Sequence, residues 1–340
     1  MWPTKLGVSL QRSSTYLAVC AIGVVVLAGC GSSAKTDSAS SSGSSTAAAQ
    51  GEDVIIKHKF GETTIPANPQ RIVTAGWIDQ DYVLPFGVVP VGTRGGYFEN
   101  YNDFPWVKQE TDGKGVPAID GDTINFEGIA AAKPDLIFAI NETIDQKTYD
   151  RLSQIAPTVV QSADYPDEET PWDVQLLTTG KALGKEAQAQ KLVDQVNAKF
   201  DEAKAAHPEF AGKTLISDFT SEANAHYLIG KGDPRNAIFD GLGLDTKDTV
   251  GDVSEEKLSL LDGNVLFVNG LTKQQMSEVP AFQRLNVVRE GRTLYAGSDS
   301  TLSGALAFGG PEAKLYALDL LVPQIGNALQ GKPVADLSDS

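Results

Sequence analysis

The stretch from Lys185 to His207, KEAQAQKLVDQVNAKFDEAKAAH, constrains the fold more than any other part of this chain. Ala189, Leu192, Val193, Val196, Phe200 and Ala203 recur at spacings of three and four, the apolar stripe of an amphipathic helix. Lys, Asp, Gln and Glu fill the other face, and Ala, Lys, Gln and Glu are good helix formers. Gly184 and Pro208 punctuate the two ends. At 1.5 Å per residue such a helix is about 30–35 Å long, the width of a small domain. The segments on its two sides resemble each other, which makes it more than a surface element.

Those segments run from Ile124 to Asn141 and from Val253 to Asn269. Each begins with Asn or Ser at a helix start and has a glutamate in the first turn (Glu127, Glu256). A short helix, a polar turn and an apolar strand ending in Asn then follow. Asn and Ser accept hydrogen bonds from unpaired N–H groups at a helix start, and a glutamate suits its positive end. The strands LIFAI and VLFV are continuously apolar, as parallel strands covered on both faces are. One copy on each side of a long helix predicts two α/β lobes with mostly parallel central sheets, joined by that helix and facing each other across a cleft. The expected boundaries are 54–170 for the first lobe, 171–207 for a helical connection with its bridging helix at 185–207, and 208–340 for the second lobe.

Lys5 and Arg12 precede the apolar run from Leu17 to Leu27, which ends in Ala28-Gly29-Cys30. A positive start, an apolar middle too short for a comfortable membrane span and small residues before the cut predict a signal peptide over 1–29. Leu27-Ala28-Gly29-Cys30 also matches a bacterial lipobox, so Cys30 is the expected site of lipidation. Cys20 leaves with the signal, so the folded part has no thiol for a disulfide, a zinc cluster or a nucleophile. The remainder of 30–53 is rich in Ser, Ala, Gly and Thr and reads as a flexible tether. The expected location is extracytoplasmic, on the outer face of the cell membrane.

With 28 basic and 44 acidic residues the net charge is −16, and losing the two signal cations takes it to −18. No basic run is present, which argues against nucleic acid as partner. Against such an acidic background, an arginine in a binding loop is a local exception.

Downstream, alternation from Val54 to Ile65 predicts a hairpin broken at Gly61-Glu62. Strands are expected at Arg71–Ala75, Val88–Gly92, Leu136–Ile140, Thr158–Gln161, Thr214–Phe219, Tyr227–Ile229, Val265–Val268 and Thr293–Ala296. Helices are expected around Trp77–Gly87, Ile144–Ile155, Trp172–Leu183 and Glu312–Leu329. Asp233-Pro234 reads as an N-cap with proline at the first helical position. Long loops are expected at Thr93–Asp122, which is rich in aromatics, and at Gly297–Gly310. In α/β sheets ligands sit beyond the carboxyl ends of the strands, here marked by Trp77, Arg94, Asn141, Phe219, Asn269 and Gly297.

Enzyme motifs are scarce: no G-x-S-x-G elbow, Walker A loop, G-x-G-x-x-G, H-E-x-x-H or C-x-x-C is found. His58, His207 and His226 lack a second histidine at ligand spacing, so no protein metal site is expected and each reads as structural. What remains resembles a recognition surface. Trp77, Tyr97, Tyr101, Trp106, Phe219, Tyr227 and Phe308 offer flat apolar walls; core packing is the alternative for each and the favoured one for Trp106 and Phe219. Arg94 and Arg235 suit oxygen anions, although Arg235 is equally placed to pair with a neighbouring carboxylate.

Pro69-Gln70-Arg71-Ile72-Val73, Val88-Val89-Pro90-Val91-Gly92 and Asn125-Phe126-Glu127-Gly128-Ile129-Ala130-Ala131-Ala132-Lys133-Pro134-Asp135-Leu136-Ile137, with the long helix and the lipobox, carry a family resemblance. From Val54 to Gln330 the chain resembles substrate-binding lipoproteins of ABC importers for ferric siderophores, of the actinobacterial FecB type. Haem and cobalamin binders are relatives of that family. The second αβ unit departs at Leu261-Asp262-Gly263-Asn264, where the family often has another Pro-Asp. The resemblance implies a monomeric clamp that closes slightly on an iron chelate and does no chemistry on it. Trp77, Arg94, Tyr97, Asn141, Tyr227, Arg235 and Phe308 are then the expected ligand-binding residues, with no cofactor. Glu127 and Glu256 match positions at which the family contacts permease arginines, one per lobe. Haem or cobalamin as ligand, and an envelope interaction protein that has lost transport, are the alternatives.

Overall fold

The structure, a computed structural model, describes residues 52–121, 123–220, 222–248 and 250–340. The expected signal segment, Cys30 and the tether up to residue 51 lie outside the described residues.

A hairpin opens the fold: β1 (Val54–His58) pairs antiparallel with β2 (Gly61–Ile65). Its turn falls at Lys59-Phe60, ahead of the glycine where alternation placed the break, because Gly61 itself pairs with His58. Then come β3 (Ile72–Thr74), α1 (Gln80–Val83), β4 (Gly92–Arg94), α2 (Pro105–Glu110), β5 (Ala118–Ile119), α3 (Phe126–Ala131), β6 (Leu136–Ala139), α4 (Gln146–Ser153) and β7 (Thr158–Val160). The five strands β3 to β7 form an all-parallel sheet in the order β5-β4-β3-β6-β7. Two helices follow, α5 (Trp172–Ala182) and the bridging α6 (Glu186–Ala206).

The second sheet uses β8 (Thr214–Phe219), β9 (His226–Ile229), β10 (Asp245–Thr246), β11 (Gly251–Val253), β12 (Val265–Gly270) and β13 (Thr293–Gly297). The order is β11-β9-β8-β12-β13, with β10 beside β8. Its β8, β10, β12 and β13 are parallel, while β9 runs antiparallel to both of its neighbours, β8 and the edge strand β11. The intervening helices are α7 (Ala237–Gly241), α8 (Lys273–Ser277) and α9 (Asn286–Arg289), and the chain closes with α10 (Thr301–Phe308) and α11 (Pro311–Leu329).

Alternate residues of each strand point to opposite faces, so each sheet feeds two cores. In the first sheet Ile72, Leu136 and Phe138 pack with α1, α5 and the start of α6, while Val73, Ile137 and Ala139 pack with α3 and α4. In the second, Leu215, Phe267 and Leu294 pack with α6, α10 and α11, while Ile216, Leu266 and Val268 pack with α8 and α9. The apolar stripe of α6 divides between them. Ala189 and Val193 enter the first core, and Val196, Phe200 and Ala203 enter the second. Burying Val or Phe is worth about 1.5–3 kcal/mol each, so both sheets hold this helix.

Three sequence expectations give way. The strand expected at Val88–Gly92 starts at Gly92 instead, because register is set by pairing of Val73 with Gly92 and Thr74 with Thr93. The expected loop after it carries β4, α2 and β5, and its aromatics are largely core: Tyr101, Phe104 and Trp106 are buried. The expected loop at Gly297–Gly310 is mostly α10, begun by Ser300, whose hydroxyl accepts from the Ser303 N–H. That helix lacks charged residues and is buried nearly all round, so it shows no amphipathic period. Gly304 allows the ring of Phe104 against it: a Cβ there would lie 2.2 Å from the ring. Among the described residues no helix is long and apolar enough to cross a membrane.

Candidate functional site

The order β5-β4-β3-β6-β7 reverses chain direction at β3, with β4 on one side and β6 on the other. Such a switch point opens a crevice beyond the carboxyl ends of the strands. Trp77 follows β3, Arg94 ends β4, and Asn141-Glu142 follow β6. The buried Asp79 carboxylate fixes this rim. It accepts the N–H groups of Ile140 at 2.9 Å and Asn141 at 3.0 Å, and the Gln175 amide at 2.9 Å. The Trp77 N–H in turn donates to the Asn141 carbonyl at 3.0 Å. Burial nevertheless raises the Asp79 pKa to about 6, against those three contacts to its carboxylate and a fourth from the Gly76 backbone.

Arg94 lies within this frame with only 8% of its side chain exposed. Its guanidinium carbon is 3.4 Å from the centre of a Trp77 ring, a stacked cation–π contact, and Nη1 donates to Glu142. Its Nε has no hydrogen-bond partner among the described residues. Burial lowers the Arg94 pKa, opposed by Glu142 and Glu168, and raises that of Glu142 to about 7, opposed by Arg94. Glu168 is held by the Thr143 hydroxyl at 2.9 Å.

Beyond β4, Tyr97 packs tilted against Trp77 and edge-on against Phe308 at the end of α10. Its ring centre is 5.9 Å from that of Trp77 and 5.3 Å from that of Phe308. Arg94, Tyr97 and Phe308, with Gln80, Glu99 and Asp120, line an open hollow of about 330 Å³. Phe308 is 1% exposed and packs edge-on or tilted against Tyr97, Phe98 and Tyr101. It is both core and floor. Tyr101 and Trp106 are core: both donate to Asp81, at 2.8 and 3.1 Å.

From the second sheet comes Arg235, in a 3₁₀ turn capped by Asp233. Its Nε and Nη2 donate to Asp233 at 2.9 and 2.7 Å, and its guanidinium carbon is 5.1 Å from the Phe219 ring centre. Burial lowers its pKa most, but Asp233, Tyr97 and Tyr227 outweigh that and the net shift is upward. Burial raises the Tyr97 pKa while Arg235 pulls it down, so the guanidinium reaches the field of the opposite half. Tyr227 on β9 is 39% exposed. Contacts and charge thus connect Trp77, Arg94, Tyr97, Asn141, Tyr227, Arg235 and Phe308 into one cluster, although the hollow itself is lined by three of them.

Asp79 is the site residue that sequence reading passes over, and Glu142 is placed by it at a strand end beside the cleft without a role. Glu142 had a signal, its place at a strand end, but nothing in sequence marks its pairing with Arg94. Asp79 had none, since Trp-Ile-Asp-Gln-Asp reads as the polar face of a helix. Glu127 and Glu256 are exposed in first helical turns. Asn125 caps the first turn by accepting from Gly128, whereas the second is a 3₁₀ helix whose Ser254 makes no side-chain cap bond. The histidines are tied to neighbours: His58 to Thr63, His207 to Glu209 and His226 to Asp218. Among the described residues no group of three or more His, Cys, Asp or Glu is arranged to hold a metal ion.

Residues 93–299 match the periplasmic binding protein family. The chain belongs to that family. A periplasmic solute-binding protein of Mycobacterium smegmatis is 32% identical, with a TM-score of 0.74 over 82% of this chain and 99% of the other. YhfQ of Bacillus subtilis, proposed to be an ABC transporter substrate-binding lipoprotein, is 34% identical over 160 residues, 44% of this chain and 46% of its own. YfiY of the same organism, proposed to be a siderophore-binding lipoprotein, is 28% identical over 223 residues, 64% of each chain. The chain thus spans about half to two thirds of the curated relatives it matches. The expected two-lobe α/β fold is the fold found.

Proposed function

We propose that this protein captures a ferric siderophore outside the cytoplasm and delivers it to an ABC importer. The observation that carries this reading is the cluster at the strand ends of a periplasmic-binding fold, where Trp77, Arg94 and Tyr97 pack together and Arg235 lies within electrostatic range of Tyr97 and Tyr227. Aromatic walls and guanidinium groups suit the flat, oxygen-rich surface of an iron chelate, which arrives with its metal already ligated. The likeness to relatives proposed to bind siderophores supports the same reading. Cys30 supplies a lipid anchor, and the monomer docks on the permease through Glu127 and Glu256, which both remain exposed.

Tryptophan fluorescence of the chain from residue 31 onward, titrated with ferric siderophores, haem and cobalamin, tests the first claim. Saturable quenching by an iron-loaded siderophore is expected, since Trp77 lines the cluster. Quenching by haem or cobalamin alone overturns the assignment. For docking, the Glu127→Gln, Glu256→Gln double variant should bind ligand normally yet fail to support uptake; unimpaired uptake removes both glutamates from that role.

A further inference from the structure

Each arginine of the cluster is already committed to a carboxylate of the protein itself. Arg94 donates to Glu142, and Arg235 holds Asp233 through two nitrogens. Glu168 adds a third carboxylate, close enough to act on Arg94, Glu142 and Tyr97. Glu99 and Asp120 line the hollow beside Arg94. The cations are therefore outnumbered where a ligand would lie, within a chain of net charge −16.

The cluster still offers directional donors. Arg94 Nε, on a side chain only 8% exposed, has no partner among the described residues. The Tyr97 hydroxyl stays protonated at any physiological pH because burial raises its pKa. A neutral donor array with a surplus of carboxylates can hydrogen-bond the oxygens of an uncharged chelate and attract a positive one. A triply negative chelate meets carboxylate repulsion that the paired arginines do not offset.

Resting on the siderophore reading above, we infer that the site selects a neutral or positively charged ferric chelate, of the trihydroxamate kind, over polyanionic catecholate or carboxylate complexes. Glu142 and Asp233 are the specificity-determining residues, because each neutralises one arginine. Removing either carboxylate charge exposes a cation and shifts the preference toward anions.

The test is binding by the wild-type protein of three iron complexes of graded charge: ferric desferrioxamine (singly positive), ferrichrome (neutral) and a ferric tris-catecholate (triply negative). The first two should bind at least about 100-fold more tightly than the third. Glu142→Gln keeps a hydrogen-bond acceptor for Arg94 while removing the charge. It should improve catecholate binding about tenfold relative to ferric desferrioxamine, and Asp233→Asn should shift the ratio the same way. Tightest binding of the catecholate by the wild-type protein, or a ratio unmoved by both variants, overturns the charge selection while leaving the siderophore reading intact. Failure of all three complexes to bind overturns the siderophore reading as well.

Discussion

The two cluster arginines are built alike and held differently. Arg94 sits 3.4 Å above Trp77 and pairs with Glu142, which is 48 residues away in sequence. Arg235 lies 5.1 Å from Phe219 and pairs with Asp233, two residues away. The first is 8% exposed and depends on three strand ends being in register; the second is 25% exposed and depends on one turn. The difference teaches that the first half of the site is part of the fold, whereas the second half is a local device mounted on it.

The largest effect expected from this contrast comes from the carboxylates that organise each half. Asp79→Ala leaves the buried donors of Ile140, Asn141 and Gln175 without their acceptor. It should lower unfolding free energy by about 3–5 kcal/mol in urea titrations. Asp233→Ala removes an N-cap at a part-exposed turn and should cost about 1 kcal/mol. Equal losses would break the contrast.

A smaller effect is expected from pH. Asp79 and Asp81 both have folded pKa values raised to about 6 from 3.8 by burial, so the folded state binds more protons between those limits. Their stabilising contribution is fully present below about 3.8 and is lost as pH rises through about 6. Lys314, which faces Asp81, has its pKa lowered to about 8 and stays charged across this window. These two groups should therefore make the protein about 2–3 kcal/mol more stable at about pH 5 than at about pH 7, and Glu142, whose pKa burial raises to about 7, adds to the rise in the same direction. Asp79→Asn should flatten that slope, and an unchanged slope would remove Asp79 as its source.

The smallest effects concern the aromatic platforms. Trp77→Leu should cost about 1–2 kcal/mol through the stacked contact with Arg94, and Phe219→Leu about 0.5 kcal/mol or less at the longer distance. Reversal of that order in chemical denaturation would show that the second half is the more rigid.

Legibility in the sequence follows the same division. Asp233-Pro234-Arg235 was readable as a cap with a neighbouring carboxylate, because its partners lie within one turn. The burial of Tyr101 and Trp106 around Asp81 was not, since their surroundings come from α1, α2, α10 and α11 together. Nor was α10 itself, because a helix buried on every side has no polar face to give it a period.

What the sequence determined alone was whatever repeats within a few residues: the stripe of α6, the apolar strands LIFAI and VLFV, the Asn125 cap and the Asp233 turn. Local hydrogen bonds and side-chain periodicity are complete within such spans. Tertiary structure decided that one stripe of α6 serves two cores, that β4 begins at Gly92, and that Glu142 meets Arg94. Those outcomes depend on sheet register and on burial by distant elements, where a carboxylate and a guanidinium distant in sequence become each other's nearest means of staying charged away from water.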